Sequence, residues 1–83
     1  MTVEITRPAK KDLLKLDEQT RTRIFAALAN LLNYPEVPGL KRLESHEYNW
    51  RLRVGKWRAM LEINQAESII YVHRIKHRRE AYR

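Results

Sequence analysis

Apolar residues recur along the chain with two different periods. Thr2 to Thr6 alternates and is rich in β-branched residues, which predicts a short strand with Val3 and Ile5 inward. Thr6 is placed to cap the next element, and Pro8 stands where the first turn of a helix tolerates proline. Ala9, Leu13 and Leu16 then recur at helical spacing, with Lys10, Lys11 and Lys15 on other faces, so a helix is predicted over Pro8 to Leu16. Asp17 is a candidate N-cap for a second helix, and Glu18 suits its positive end. There Ile24, Leu28 and Leu31 form one stripe, with Phe25 and Leu32 beside it, and Pro35 stops the run. With almost no linker between them, the two helices read as an αα-hairpin.

Alternation returns in the second half. Glu36 to Glu47 reads as a loop containing Pro38 and Gly39, with Leu40 and Leu43 anchored to the core. Trp50 to Ile63 reads as a hairpin turned at Gly55-Lys56, where glycine supplies the positive φ of a type II′ turn. A two-residue turn sets Val54 opposite Trp57, Leu52 opposite Ala59 and Trp50 opposite Leu61, with Tyr48 and Ile63 extending this apolar row. Asn64 to Glu67 is a turn, and Ser68 to Ile75 is a last strand. Its continuous run of Ile69, Ile70, Tyr71 and Val72 suggests a central strand. Pairing Ile63 with Ser68 would set Arg58 against His73 and Met60 against Tyr71, and would put Tyr71 and His73 on the face away from the apolar row. Lys76 to Arg83 is a short basic tail, helical or irregular.

This order predicts an α+β fold. An antiparallel sheet, made of the N-terminal strand and a three-stranded meander, is packed on one face by the N-terminal αα-hairpin. The apolar row of the hairpin faces the helices. The opposite row, Arg51, Arg53 and Arg58 with Met60 and Glu62, therefore faces outward. In this register Arg53 stands directly opposite Arg58, and like charges so placed are destabilising. A charge cluster is more often a plain solvated face. Three guanidinium groups on one side of a sheet nonetheless suit an anion, phosphate above all.

Composition narrows the setting. Eighty-three residues, 43% of them hydrophobic, make a single small domain spanning residues 1–83. The chain has no cysteine, which excludes disulfides, a thiolate nucleophile and cysteine zinc sites. No apolar run reaches the ~20 residues of a membrane span. Met1 to Pro8 lacks the apolar core of a secretory signal, so a cytoplasmic protein with no membrane partner is expected. The net charge of +7 favours a polyanionic partner.

Several familiar chemistries have no residues to carry them. Gly39 and Gly55 are the only glycines, so there is no Gly-rich phosphate loop. His73 and His77 are four apart but on a strand, so no metal site and no cofactor is expected, and His46 reads as a solvated loop residue. What stands out is a basic set in two segments: Arg51, Arg53 and Arg58 on the sheet, and His77, Arg78, Arg79 and Tyr82 on the tail. Such a set suits RNA cleavage by the RNA's own 2′-hydroxyl. That reaction needs a base, cations for charge building on phosphorus and an acid for the leaving 5′-oxygen, but neither metal nor protein nucleophile. Arginine supplies the cation and cannot supply the base. Histidine titrates in the useful range, which makes His77 a candidate for proton transfer. Tyr82 can orient the 2′-hydroxyl, stack on a base, or transfer a proton.

The segments YNWRLRVGKWRAMLEI and IIYVHRIKHRREAYR resemble the RelE/ParE toxin superfamily, over nearly the whole chain. The R-L-R-x-G-x-x-R hairpin with a terminal H-R-R-E-x-Y resembles its RelE branch. The resemblance implies a type II toxin: a ribosome-dependent mRNA endoribonuclease (an mRNA interferase) that cuts mRNA in the A site of the 70S ribosome. It implies an acidic antitoxin as partner. By the same resemblance the catalytic positions correspond to Arg51, Arg53, Arg58, Arg78 and Tyr82. His77 is a weaker proton-transfer candidate, and Lys56 and Arg79 are further RNA contacts. The first two positions are often lysine in the family. Arginine at 51 and 53 removes a lysine-as-base role, which leaves His77, Tyr82 or a ribosomal group as the base. Alternatives within the superfamily are a ParE-like toxin that inhibits DNA gyrase without being a nuclease, and an inactive antitoxin-binding homologue.

Overall fold

The computed structural model describes residues 1–44 and 46–81. Its elements are β1 (Thr2–Ile5), α1 (Arg7–Leu14), α2 (Glu18–Ala29), β2 (Leu40–Arg42), β3 (Trp50–Val54), β4 (Trp57–Asn64) and β5 (Ile69–His77). They form a five-stranded sheet in the order β1-β5-β4-β3-β2 with both helices on one face, the expected α+β architecture. Among the described residues no helix is long and apolar enough to cross a membrane.

Both helix starts follow from local chemistry. The Thr6 hydroxyl accepts from Ala9 N at 3.5 Å, and a Pro stands in the first turn of α1. The Asp17 carboxylate accepts from Thr20 N at 3.2 Å and caps α2. The helices end earlier than the sequence suggests. α1 stops at Leu14, and α2 tightens into a 3₁₀ turn over Asn30–Asn33 before a cis Tyr34-Pro35 bond. Arg21 reaches back from α2 to the frayed end of α1, donating to Leu16 O at 2.9 Å and to Leu13 O at 3.4 Å. Carbonyls at a helix end have no partner within the helix, and a cation suits that end.

The helical stripe lands where periodicity put it. Ile24, Leu28 and Leu31 are buried against Leu52, Ala59, Leu61, Ile70 and Val72. Complete burial of one such side chain contributes about 1.5–3 kcal/mol. Phe25 and Leu32, expected beside that stripe, are instead 45% and 63% exposed.

The β3–β4 hairpin has the expected register: Trp50 opposite Leu61, Leu52 opposite Ala59, Arg53 opposite Arg58, Val54 opposite Trp57. Gly55 has φ 58°, and among the described residues only Ser68 has a positive φ outside glycine. A positive φ at the first central position alone is the sign pattern of a II′ turn.

In the sheet, four further details differ from expectation. The loop after Pro38 contains a short edge strand, β2, which pairs Lys41 with Arg51 and Arg42 with Trp50. Three residues carry too little alternation to be seen in advance. β1 lies parallel to β5, so the sheet is antiparallel except at that edge; β5 is an interior strand between β1 and β4, and the central strand is β4. Tyr48 does not continue the apolar row, because β3 begins at Trp50. Finally, Ile63 pairs with Ile70, not with Ser68. The turn is held by Asn64, whose Oδ1 accepts from Glu67 N at 3.0 Å, and closes through Ser68 at φ 56°. A bulge between Met60 and Leu61 shifts the register again, so Arg58 faces Lys76 and Met60 faces Arg74.

The bulged stretch of β5 lies beyond the end of β1, where strand N–H groups would lack a partner. Asp12 of α1 fills that gap. Its carboxylate accepts from Ile75 N at 3.0 Å and from Arg74 Nε at 2.8 Å and NH2 at 3.1 Å. Burial pushes the Asp12 carboxyl up. The Arg74 guanidinium and the Ile75 N–H together outweigh it and hold the group below its ordinary value.

Candidate functional site

The outer face of the sheet carries two cross-strand ranks of cations. One rank is Arg53, Arg58 and Lys76 on β3, β4 and β5. The other is Lys41 and Arg51 on β2 and β3, then Met60, then Arg74, whose guanidinium is already paired with Asp12. Neighbouring strands lie about 4.8 Å apart, so each rank gathers its charges within the span of a nucleotide or two.

The three hairpin arginines are not equivalent. Arg51 NH1 donates to Gly39 O at 2.6 Å, and its Nε is buried with no partner among the described residues. Arg58 NH1 donates to Gly55 O and Trp57 O, both at 2.8 Å, and its Nε is likewise buried and unpartnered. Each guanidinium is thus tethered through one nitrogen to main-chain carbonyls. Arg53 is exposed, and its side chain has no partner among the described residues. Arg51 and Arg58 are thus held in place and Arg53 is left exposed, and guanidinium groups are the side chains that recognise anions through N–H donors. Gly39 sets the spacing: with φ 83°, a Cβ there would lie 3.0 Å from Arg53 O.

The tail is one turn of chain folded back on the sheet. Arg78 N donates to Lys56 O at 2.8 Å, and Glu80 N and Ala81 N donate to His77 O at 2.8 and 3.1 Å. Ala81 is fully buried and its carbonyl meets His46 Nε2 at 3.0 Å. His46 is therefore not the solvated residue expected; its Nδ1 also accepts from Tyr48 N at 3.1 Å. Met60 is fully buried as well, although its side of β4 is the outer one. Met60 and Ala81 both lie outside the main core cluster, so this part of the outer face is covered rather than open.

His77 is turned away from the arginine ranks. It pairs with Trp57, whose side of β4 packs on the main core, and the two rings meet edge to face at 5.4 Å and 85°. Its Nδ1 accepts from Arg79 N at 3.3 Å. Arg78 and Arg79 are exposed at the hairpin-turn end of the sheet, as is Lys56. Tyr82 lies outside the described residues.

Beyond Met60 the outer face changes character. His73 Nε2 meets Glu62 Oε1 at 2.9 Å, and the His73 ring is stacked between Tyr48, at 5.6 Å, and Tyr71, at 5.7 Å. Tyr71 and His73 are thus on the face the sequence assigned to them, though through a different register. Burial, then Glu47, pushes the Tyr48 phenol up; burial, then Glu67, Glu4 and Glu62, does the same for Tyr71. Acidic and aromatic groups gather here, and the free cations gather at the hairpin turn.

The structure therefore brings Arg51, Arg53 and Arg58 together and leaves His77 on the other side. Lys41, Lys76 and Arg74 were missed as members of the basic ranks. Lys41 needed β2 to be recognised, and Lys76 and Arg74 needed the bulge.

The family described as the ParE toxin of type II toxin-antitoxin system, parDE, matches residues 3–82. The chain belongs to this toxin family. Solved structures of similar shape are toxins too. One is in the toxin–antitoxin complex RelBE2 from Mycobacterium tuberculosis, 24% identical with a TM-score of 0.78, covering 92% of this chain and 95% of that one. Another is in the archaeal RelE–RelB complex from Pyrococcus horikoshii, 26% identical with a TM-score of 0.73, covering 96% and 97%. The isolated E. coli RelE toxin, 14% identical, aligns with a TM-score of 0.74 over 92% of this chain and 82% of that one. No curated protein sequence matches the chain. This toxin thus carries a ParE family signature on a fold shared with RelE proteins.

Proposed function

We propose that this toxin is a metal-independent endoribonuclease that cuts mRNA in the ribosomal A site. The observation that carries this reading is the Arg53–Arg58 pair flanked by Lys76, with Arg51 and Arg58 each tethered by a main-chain carbonyl. In the reaction the 2′-oxygen forms a bond to phosphorus, the bond from phosphorus to the 5′-oxygen breaks, and a 2′,3′-cyclic phosphate results. Arg51, Arg53 and Arg58 hold the scissile phosphate and the charge that builds on its oxygens. Arg78 protonates or stabilises the leaving oxygen, and Tyr82 orients the 2′-hydroxyl. Lys56 and Arg79 hold flanking phosphates. With His77 against Trp57, the base falls to Tyr82 or to the ribosome.

A protein partner, an acidic antitoxin, fits the same molecule. The net charge is +7, and an open apolar groove of about 480 Å³ runs between β1 and α2, lined by Met1, Val3, Phe25, Leu28 and Leu32. Exposed apolar surface of this kind marks interaction sites. RelE proteins of this shape are seen in complex with RelB antitoxins.

The test is cleavage of mRNA on purified 70S ribosomes, mapped by primer extension. Cuts at A-site codons that vanish in Arg58→Ala support the reading; intact mRNA counts against it. A second reading, inhibition of DNA gyrase, is favoured by the ParE family match. It predicts blocked supercoiling by purified gyrase and no cleavage.

A further inference from the structure

The hairpin turn has a second side. Opposite the arginine ranks, α2 and the turn enclose a recess of about 360 Å³, lined by Thr20, Arg23, Ile24, Val54, Lys56 and Trp57. Arg23 reaches from α2 onto the turn. A Cβ on Gly55 would lie 3.0–3.2 Å from the atoms of its guanidinium, so only the bare glycine lets that group lie against the main chain. Arg23 is exposed, and its side chain has no partner among the described residues. Lys56 is exposed at the same rim, and the Thr20 hydroxyl is a third polar group. The floor is apolar: Ile24, Val54 and the half-buried Trp57 indole.

An apolar, aromatic floor ringed by unpaired cations is how single-stranded nucleic acid is held without base pairing. The base lies on the aromatic group and the flanking phosphates meet the cations. We infer that this recess is a second RNA site, which takes one unpaired nucleotide with its base on Trp57 and its phosphates on Arg23 and Lys56. The site is continuous with the arginine ranks around the turn. Arg58 is tethered to Gly55 O and Trp57 O, and Arg78 N donates to Lys56 O. One strand can therefore pass from Arg53 and Arg58, over Gly55-Lys56, to Arg23. The inference rests on the RNA reading proposed above, but it concerns binding and not cleavage.

The test uses the full chain and an uncleavable probe, a fluorescent single-stranded 2′-O-methyl RNA. In a Trp50→Phe background, where Trp57 is the only indole, RNA addition should quench the tryptophan emission. Arg23→Gln should weaken binding about 3- to 10-fold and lower the salt slope by about 0.7, the share of one phosphate contact on a single strand. Arg23 is a surface residue of α2, so thermal melting should show the fold kept. Unchanged emission, or an affinity and slope for Arg23→Gln equal to the parent's, overturns the site. The two proposals fail separately. Toxin that binds this RNA through Arg23 yet leaves ribosomal mRNA intact loses the cleavage reading and keeps the site. Toxin that cuts mRNA while Arg23→Gln binds RNA normally keeps the reading and loses the site.

Discussion

Arg53 and Arg58 face each other across the β3–β4 hairpin, and Lys76 of β5 stands next in the same rank. Like charges directly opposite on a sheet cost roughly 0.2–1 kcal/mol per pair. Arg53→Gln should therefore raise stability by a few tenths to about 1 kcal/mol in a denaturant melt. The same change should lower mRNA cleavage at least about tenfold, since a hydrogen bond to a charged group is worth about 1.5–3 kcal/mol. A variant that is both less stable and fully active would remove the functional explanation of the pair.

Asp12 links α1 to the bulged edge of β5 through Arg74 and the Ile75 N–H. Asp12→Ala leaves that N–H and the guanidinium without their acceptor and should cost about 1–3 kcal/mol. The carboxyl is held below its ordinary value of 3.8, so its stabilisation is complete above that pH and is lost as pH falls through the lower folded value. Melts of the parent should fall steeply in this acid window, and melts of Asp12→Asn should fall less. Parallel pH curves for the two proteins would refute the linkage.

The two glycines should respond differently to alanine. Both have positive φ, which costs an L-residue about 1–2 kcal/mol. At position 55 the new Cβ meets the end of the Arg23 side chain, which can move; at position 39 it meets Arg53 O at 3.0 Å, which is main chain. Gly39→Ala should be the more destabilising. It should also impair the site, because Gly39 O anchors Arg51. Thermal melts of the two variants give the order directly.

Most of the fold was legible because each element has a local cause. The caps at Thr6 and Asp17, the stripe Ile24–Leu28–Leu31 and the Gly55 turn need no knowledge of the rest of the chain. The rank Arg53–Arg58 followed from the turn alone. What escaped depends on distant partners. β2 exists because Gly39 lets the chain approach β3, and the β4–β5 register depends on the Asn64 turn and on a bulge stabilised from α1 by Asp12. That bulge hid Lys76 and Arg74 from the basic face. The side on which His77 lies depends on the same register.

His77 offers a check on that last point. Its ring packs on Trp57 and its Nδ1 accepts from Arg79 N, so it orders the tail from the helix side of the sheet. His77→Gln should lower the melting temperature and reduce cleavage evenly across pH. If the substitution instead abolishes the acidic limb of the pH–rate profile, His77 is the base after all.

Whether the arginine face cuts ribosome-bound mRNA is decided by induced expression with transcriptome-wide mapping of mRNA 5′ ends. The expected result is growth arrest with new 5′ ends in phase with codons inside translated reading frames, both lost in Arg51→Ala/Arg58→Ala. Arrest without codon-positioned ends, or arrest undiminished in that double variant, would contradict it.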